Sequence, residues 1–317
     1  LFFLLIYHMR KIAYIINPIS GTGSKSGLQE KIENATQAAG IPYEIFLSPP
    51  DGTYADLRRH MEENNIPDVV IAGGDGTINA ALNGLRGLPV QFGLLPCGSG
   101  NGLAFSAGLP KSIDRALQLV FKGHSQWADA FMVNNRFACM LCGLGFDAEV
   151  AHQFAQDPQR GLRTYVKKSV GHFFNAHAYP FQLQLHDVEL ALDAFFISIA
   201  NSNQFGNNFT IAPQASLTDG LLDVVIVKDQ NKLDLLLNTL RQVTGFNKLQ
   251  QINLLDQQAG VLYFQTSGLH IKNGGNAPLH IDGDPAPTAT EIDVQILAKC
   301  FKLIVPETAA APHSAGR

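Results

Sequence analysis

The sequence predicts an α/β fold in two parts, an N-terminal Rossmann-like parallel sheet with helices on both faces and a C-terminal antiparallel β-sandwich. Three observations predict it. Over the first third of the chain, near-continuous apolar runs alternate with helical stretches, the pattern of strands buried on both faces. From about Gln126 to Ile304, short strand-like runs separated by Gly, Asn and Pro dominate, as in a sandwich. The length, 317 residues, exceeds what one hydrophobic core comfortably fills, so two domains are expected.

Taken in order, Ile12–Asn17 reads as a buried strand, Leu28–Ala39 as a helix and Tyr43–Leu47 as a strand. Tyr54–Asn64 is helical, and Asp68–Ala72 (DVVIA) is a strand apolar on both faces. Thr77–Leu85 is a helix and Val90–Leu95 a strand. Gly102–Ala107 is a short helix ended by Gly108-Leu-Pro110, and Ile113–Phe121 completes the set. The second part carries strands at Phe131–Val133, Phe137–Leu141, Phe181–Leu185, Ala194–Ala200, Leu222–Val227, Val261–Phe264, Leu269–Ile271 and Val294–Leu297. Helices at Gly161–Asn175 and Lys232–Val243 interrupt them. The boundary falls near Asp129, giving domains over 9–128 and 129–306, with the last strand free to return to the first domain and a polar tail over 307–317. Met9 is read as the natural start, and residues 1–8 as an upstream extension.

Composition narrows the function classes. Hydrophobic residues make up 46% and charged residues 16%, against roughly 25% charged in ordinary soluble proteins, which excludes disorder. With 23 basic and 27 acidic residues the net charge of −4 argues against nucleic-acid binding. No apolar run approaches the roughly 20 residues of a transmembrane helix. Cys139 and Cys142 form a C-x-x-C with no second pair and read as buried thiols, Cys97 and Cys300 are isolated, and a reducing cytoplasm fits best. Arg160, Arg163, Lys167 and Lys168 form the densest basic patch, read as a solvated helix face.

Open parallel sheets bind ligands at the carboxyl ends of their strands. Three such ends carry glycine turns: Asn17-Pro-Ile-Ser-Gly-Thr-Gly-Ser24, Gly73-Gly-Asp-Gly-Thr-Ile-Asn79 and Pro96-Cys-Gly-Ser-Gly-Asn-Gly102. Glycine lets backbone N–H groups approach a phosphate, and each turn opens a helix whose N-terminus favours negative charge. Three together, with hydroxyls from Ser20, Thr77 and Ser99, describe a polyphosphate cradle. It is neither the dinucleotide kind nor a P-loop, because G-x-G-x-x-G and G-x-x-x-x-G-K-[ST] are absent. A carboxylate at Asp75 would repel phosphate unless a cation lies between, so it implies water-linked Mg²⁺; as a bare turn, Asp75 would serve as a helix N-cap.

Taken together, these residues resemble the diacylglycerol kinase and sphingosine kinase catalytic family, relatives of NAD kinase. The match runs from Met9 to about Pro306 and rests on Asn17-Pro…Ser20-Gly21, Gly73-Gly-Asp-Gly-Thr77 with Asn83-Gly84, Gly98-Ser-Gly-Asn101, Thr218-Asp-Gly-Leu-Leu-Asp223 and Ile281-Asp-Gly-Asp-Pro285. The resemblance implies that Asn17, Pro18, Ser20 and Gly21, with Gly73, Gly74, Asp75, Gly76, Thr77 and Asn79, line ATP. Ser99 would touch its phosphates and Ser48 would lie near the nucleotide. Asp75 and Asp129 would anchor the water-linked Mg²⁺ network. Asp219 would bind a structural Mg²⁺ with the carbonyls of Ser216 and Leu221, where the residues alone suggest a simple turn. The turn Asp282-Gly-Asp284 would supply the general base, the choice between Asp282 and Asp284 staying open. Three positions depart from the family pattern: Ala80 replaces a glutamate, Gly102 follows Asn101, and Asp284 is one methylene short of glutamate.

The expected function is therefore ATP-dependent, Mg²⁺-dependent phosphorylation of a hydroxyl on a membrane lipid, diacylglycerol or a sphingoid base. The protein would be cytoplasmic, with peripheral association at the membrane, and a homodimer is left open. A kinase for soluble substrates of the NAD kinase type and a nucleotide-binding regulatory protein with little catalysis are the alternatives.

Overall fold

The computed structural model describes residues 10–18, 26–156, 176–185, 188–203, 212–229 and 260–307. Ser20, Gly21, the expected helices Gly161–Asn175 and Lys232–Val243 and the basic patch Arg160–Lys168 lie outside these residues. The chain divides into two compact units. One comprises Leu1–Gly98, Ala107–Trp127 and Phe301–Arg317, the other Ser99–Ser106 and Ala128–Cys300.

The first unit alternates strand and helix: β1 (Ile12–Ile16), α1 (Ser26–Ala38), β2 (Tyr43–Leu47), α2 (Ala55–Glu63), β3 (Asp68–Gly73), α3 (Asp75–Leu85) and β4 (Gln91–Pro96). After α4 (Gly102–Ser106), which belongs to the second unit, α5 (Ile113–Lys122) completes it. The strands lie in the order β4-β3-β1-β2, all parallel, and Lys302 and Leu303 from the chain's last strand pair in parallel beside Gln91 and Phe92. Every residue of β1 and β3 is buried, as their unbroken apolar runs require. Alternation puts Ile12, Tyr14 and Ile16 on one face, where they join Ile32 of α1 and Ala116, Leu117 and Val120 of α5. Helices α2 and α3 pack on each other, and α3 on β3. Gly93 lets α5 close on β4, because a Cβ there would lie 2.8 Å from Val120 Cγ2. A buried charge ties the lower end of the sheet. Asp68, 1% exposed, is ion-paired with Arg10 and accepts from Gln91 Nε2 at 2.7 Å, while Arg10 also caps the carbonyls of Val120 and Phe121.

The second unit pairs its strands antiparallel, the end of its last strand, from Phe301, belonging to the first unit. Its elements are β5 (Ser125–Val133), β6 (Arg136–Ala138), β7 (Leu141–Gly145), α6 (Phe146–Gln156), β8 (Tyr179–Leu185), β9 (Val188–Ala200), β10 (Leu222–Lys228), β11 (Val261–Thr266), β12 (Gly268–Asn273), β13 (Leu279–Ile281), β14 (Asp284–Ala286) and β15 (Glu291–Ile304). β9 organises it. Its first half pairs with β8, and its second half lies between β7 and β10. Residues alternating along β8, β9, β10 and β12, among them Phe181, Leu183, Ile197, Ile199, Val224 and Ile271, fill one large core.

Two expectations need correction. The run Phe137–Leu141 is not one strand. It breaks at Cys139 and Met140, whose amides turn to a carboxylate distant in sequence. Helix α6 was not expected, because β7 feeds it through Gly145 without an N-cap signal. Gly145 has φ +78°, and a Cβ there would lie 2.4 Å from the carbonyl oxygen of Phe195.

On the sheet surface, His270 of β12 sits opposite Asp293 of β15 and faces a carboxylate with each ring nitrogen, Asp293 at 2.6 Å and Glu291 at 2.6 Å. Asp293 first, then Glu291, raises its pKa above the ordinary value. A raised folded value stabilises the protein below the unfolded histidine pKa of about 6.5, and that contribution is lost as pH rises through the folded value. The melting-temperature advantage of the native protein over His270→Gln is therefore expected to be larger at about pH 6 than at about pH 9. A difference independent of pH would contradict the pairing.

Candidate functional site

In the first unit the glycine turns follow directly from the parallel sheet, since β1, β3 and β4 all end at the same edge. Backbone bonds continue the register past the strands: Asn17 N donates to Ala72 O at 3.0 Å, Cys97 N to Gly73 O at 3.0 Å, and Ser48 N to Ile16 O at 2.9 Å. These bonds bring the first turn, the second turn, Pro96–Gly98 and Ser48 to one edge. Side chains then lock the turns together. Asn17 Nδ2 donates to Thr77 Oγ1 at 2.6 Å, joining the first turn to the second. A Cβ on Gly74 would lie 3.3 Å from Gly98 Cα, so the second turn touches the third backbone to backbone. A Cβ on Gly73 would lie 2.7 Å from Thr77 Cβ. Only glycine leaves both contacts in place, and the turns meet at the helix α3 N-terminus, a place where phosphate oxygens are commonly received.

Asp75 is the first residue of α3, after the N-cap residue Gly74, and its Oδ1 is shielded from solvent. It is therefore not the N-cap that a bare turn would make of it. Asn79 lies one turn further along the helix. Pro18 is exposed beside Asn17, and Ser99, the exposed residue after Gly98, falls within the second unit.

In the second unit the acidic turn is a two-residue hairpin between β13 and β14. Asp282 and Gly283 both have positive φ, +50° and +87°, the pattern of a type I′ turn and the reason for the Asp-Gly sequence. The Asp282 carboxylate sits in a collar of donors. Oδ1 accepts from Met140 N at 2.9 Å and Leu141 N at 3.0 Å, and Oδ2 accepts from Cys139 N at 2.9 Å and Cys139 Sγ at 3.3 Å. A carboxylate offers about four lone-pair sites, so this one is filled. Asp284, two residues on in β14, is exposed.

A second carboxylate holds the candidate metal turn. Asp129, 1% exposed on β5, accepts from Gly220 N at 2.7 Å through Oδ2 and from Lys299 N at 2.6 Å through Oδ1, while its own amide donates to Leu217 O at 2.7 Å. This fixes the turn carrying Asp219, whose Oδ1 accepts from Leu221 N at 3.0 Å. Partial desolvation, and after it the nearby Asp129, raise the Asp219 carboxyl above its ordinary value although its side chain reaches solvent. Asp223 is fully buried and bonded to Tyr263. Burial pushes it up to about 7, and Asp219 adds to the rise. Mutual repulsion among carboxylates is what a divalent cation relieves, so the donor chemistry fits Mg²⁺. Among the described residues no group of three or more Asp, Glu, His or Cys side chains forms a ready-made cage. An ion here would rest on one carboxylate, carbonyl oxygens and water, the coordination Mg²⁺ tolerates.

Sequence reasoning missed Asp147, His280 and the buried Asp223–Tyr263 pair. The signals were slight: a carboxylate just past a strand-ending glycine, and a histidine in an otherwise apolar strand. The cysteines of the C-x-x-C are both buried and free, as read from the sequence.

Comparison with known proteins agrees with this arrangement. Residues 11–133 match the model for the diacylglycerol kinase catalytic domain, and residues 141–305 that for the YegS C-terminal NAD kinase beta sandwich-like domain. The chain is 28% identical over 263 residues to the "Probable lipid kinase YegS-like" protein of Shewanella frigidimarina, covering 80% of this chain and 82% of that one. It is 27% identical over 262 residues to "Probable lipid kinase YegS" of Salmonella typhimurium, covering 79% and 83%. In fold it is similar to a diacylglycerol kinase crystal structure from Bacillus anthracis, with TM-score 0.72, 18% identity and coverage of 95% and 98%. A second structure from that organism gives TM-score 0.77 at 20% identity, with coverage of 94% and 98%. Sharing both domain types in order along nearly its whole length, the chain belongs to the lipid kinase family that joins a diacylglycerol kinase catalytic domain to a YegS-type β-sandwich.

Proposed function

We propose that this protein transfers the γ-phosphate of ATP to a hydroxyl of a membrane lipid of the diacylglycerol or sphingoid class. The observation that carries the reading is the locking of the turns at one sheet edge, through the Asn17–Thr77 bond and the Gly74–Gly98 approach, in a chain of this family. Asn17, Gly73, Gly74, Gly76, Thr77 and Asn79 line the phosphates in this reading, with Ser48 near the nucleotide. Ser20 and Gly21, which lie outside the described residues, would extend the first turn in this reading. Mg²⁺, when bound, neutralises phosphate charge. Asp75 would hold its water network, and Asp219 with the carbonyls of Ser216 and Leu221 would hold a structural ion.

Of the two carboxylates of the acidic turn, we assign the base to Asp284. The acceptor sites of Asp282 are filled by backbone and thiol donors, whereas Asp284 reaches solvent. Asp282 then sets the turn and Asp284 takes the lipid hydroxyl's proton. A lipid acceptor implies work at a membrane surface, and no helix among the described residues is long and apolar enough to cross one.

Three tests separate these roles. Thr77→Val keeps the shape of the side chain but removes the hydroxyl that Asn17 grips, and should weaken ATP binding by about 1 kcal/mol in calorimetry with little change in melting temperature. Unchanged affinity would remove Thr77 from the cradle. Asp284→Asn should lower kcat on dioleoylglycerol micelles by about 10²–10⁴ without loss of stability. Asp282→Asn, which turns amide hydrogens against backbone N–H groups, should lower both; full turnover by Asp284→Asn would move the base to Asp282. Millimolar Mg²⁺ should raise the melting temperature of the native protein but not of Asp219→Ala. An equal rise in both would place the ion elsewhere.

A further inference from the structure

Directly beneath the acidic turn lies an ionisable pair that the roles above do not use. His280 on β13 is fully buried, and Asp147, the second residue of α6, is 6% exposed. His280 Nε2 lies 3.2 Å from Asp147 Oδ2, and Gly283 N donates to His280 Nδ1 at 3.3 Å. An N–H can donate only to an unprotonated ring nitrogen, so Nδ1 is bare and the ring proton sits on Nε2, aimed at Asp147. The imidazole therefore links a carboxylate on α6 to the peptide between Asp282 and Asp284.

The sheet makes room for this link at one residue. His280 pairs with Gly143 of β7, and a Cβ on Gly143 would lie 2.3 Å from Asp147 Oδ2 and 2.6 Å from His280 Nε2. Any side chain at position 143 would displace the carboxylate, so the missing Cβ is what lets Asp147 reach across the strand. At the other end of α6, His152 Nε2 lies within bonding distance, 2.8 Å, of the carbonyl oxygen of Leu279. Helix α6 thus grips β13 at two points just before the hairpin. The Asp282 collar holds one side of the turn, and His280 holds the Gly283 amide on the other.

We infer that Asp147 and His280 are a positioning pair for the phosphoryl-transfer step. Asp147 fixes the imidazole with its proton on Nε2, and the bare Nδ1 fixes the Gly283 peptide and with it the direction of the Asp284 carboxylate. The inference rests on the assignment of the acidic turn to catalysis, and a misplacement on the order of 1 Å in such a carboxylate costs about 10²-fold in rate. Neither side chain touches substrate.

The test uses two substitutions that divide the ring's functions. In His280→Asn the amide oxygen occupies the place of Nδ1 and can still accept from Gly283. In His280→Gln the terminal amide occupies the place of Nε2 and can still donate to Asp147, but Nδ1 has no counterpart. His280→Asn, which keeps the acceptor for Gly283 but gives up the contact with Asp147, should leave the Gly283 amide resonance near its native position and lose clearly less kcat on dioleoylglycerol micelles than His280→Gln. His280→Gln should move that resonance and lower kcat by roughly 10- to 100-fold at unchanged KM for ATP. Equal losses in the two variants, or a Gly283 resonance that ignores His280→Gln, would overturn the inference. Ring ¹⁵N shifts of the native protein are independent of variant folding: a proton on Nε2 is expected, and one on Nδ1 would overturn it. If the native protein phosphorylates no lipid, the function proposed above fails, while the two resonance measurements still decide the hydrogen-bond arrangement.

Discussion

A buried or turn-bound backbone N–H must find an acceptor, and that requirement shapes both units of this protein. In the second unit the acceptors are carboxylates. Asp282 gathers the amides of Cys139, Met140 and Leu141, and Asp129 gathers those of Gly220 and Lys299. Each carboxylate closes a contact between segments far apart in sequence, so the acidic turn and the metal turn are held in shape before any ligand arrives. In the first unit β1, β3 and β4 end on glycine turns that meet at the helix α3 N-terminus. In the proposed function, phosphate oxygens would be their acceptors.

This division explains why carboxylates of similar appearance carry different roles. Asp282 is filled by three amides and a thiol, Asp129 holds two backbone amides, and both act as struts. Asp219 and Asp284 reach solvent on the turns that those struts hold, which is where a metal ligand and a proton acceptor are useful. Asp75, at the start of α3 with one oxygen shielded from water, lies where the helix favours negative charge; the phosphate of the proposed function would oppose it, a conflict that Mg²⁺ would relieve. The shortened side chain at Asp284 and the missing carboxylate at Ala80 leave this frame intact, because neither position supports the turns.

Much of the fold is legible in the chain because it is written locally. The runs that form β1 and β3 are apolar on both faces, and the glycines at 73, 74 and 98 mark the strand ends, so the parallel sheet and the turns at its edge follow from short windows. What was not legible is non-local. The break in Phe137–Leu141 is caused by Asp282, 143 residues away in sequence from Cys139, and no property of the strand itself announces it. Gly143 reads as an ordinary strand glycine until Asp147 and His280 are seen in the space its missing side chain leaves. Helix α6 begins at a glycine whose φ is set by contact with β9 rather than by a capping residue. Among the carboxylates chosen from motif position, Asp129 and Asp282 each hold backbone amides from distant segments, which no short window of sequence shows.

The account stands or falls on where the phosphate goes. Native protein incubated with [γ-³²P]ATP and Mg²⁺ in mixed micelles, each carrying one hydroxyl lipid from a panel of diacylglycerols, monoacylglycerols, phosphatidylglycerol and sphingoid bases, should move label into the organic phase for at least one of them. Inorganic phosphate and a soluble acceptor such as NAD, followed in parallel, should stay at background. Label confined to inorganic phosphate or to NAD, with none extracted alongside lipid, would contradict it.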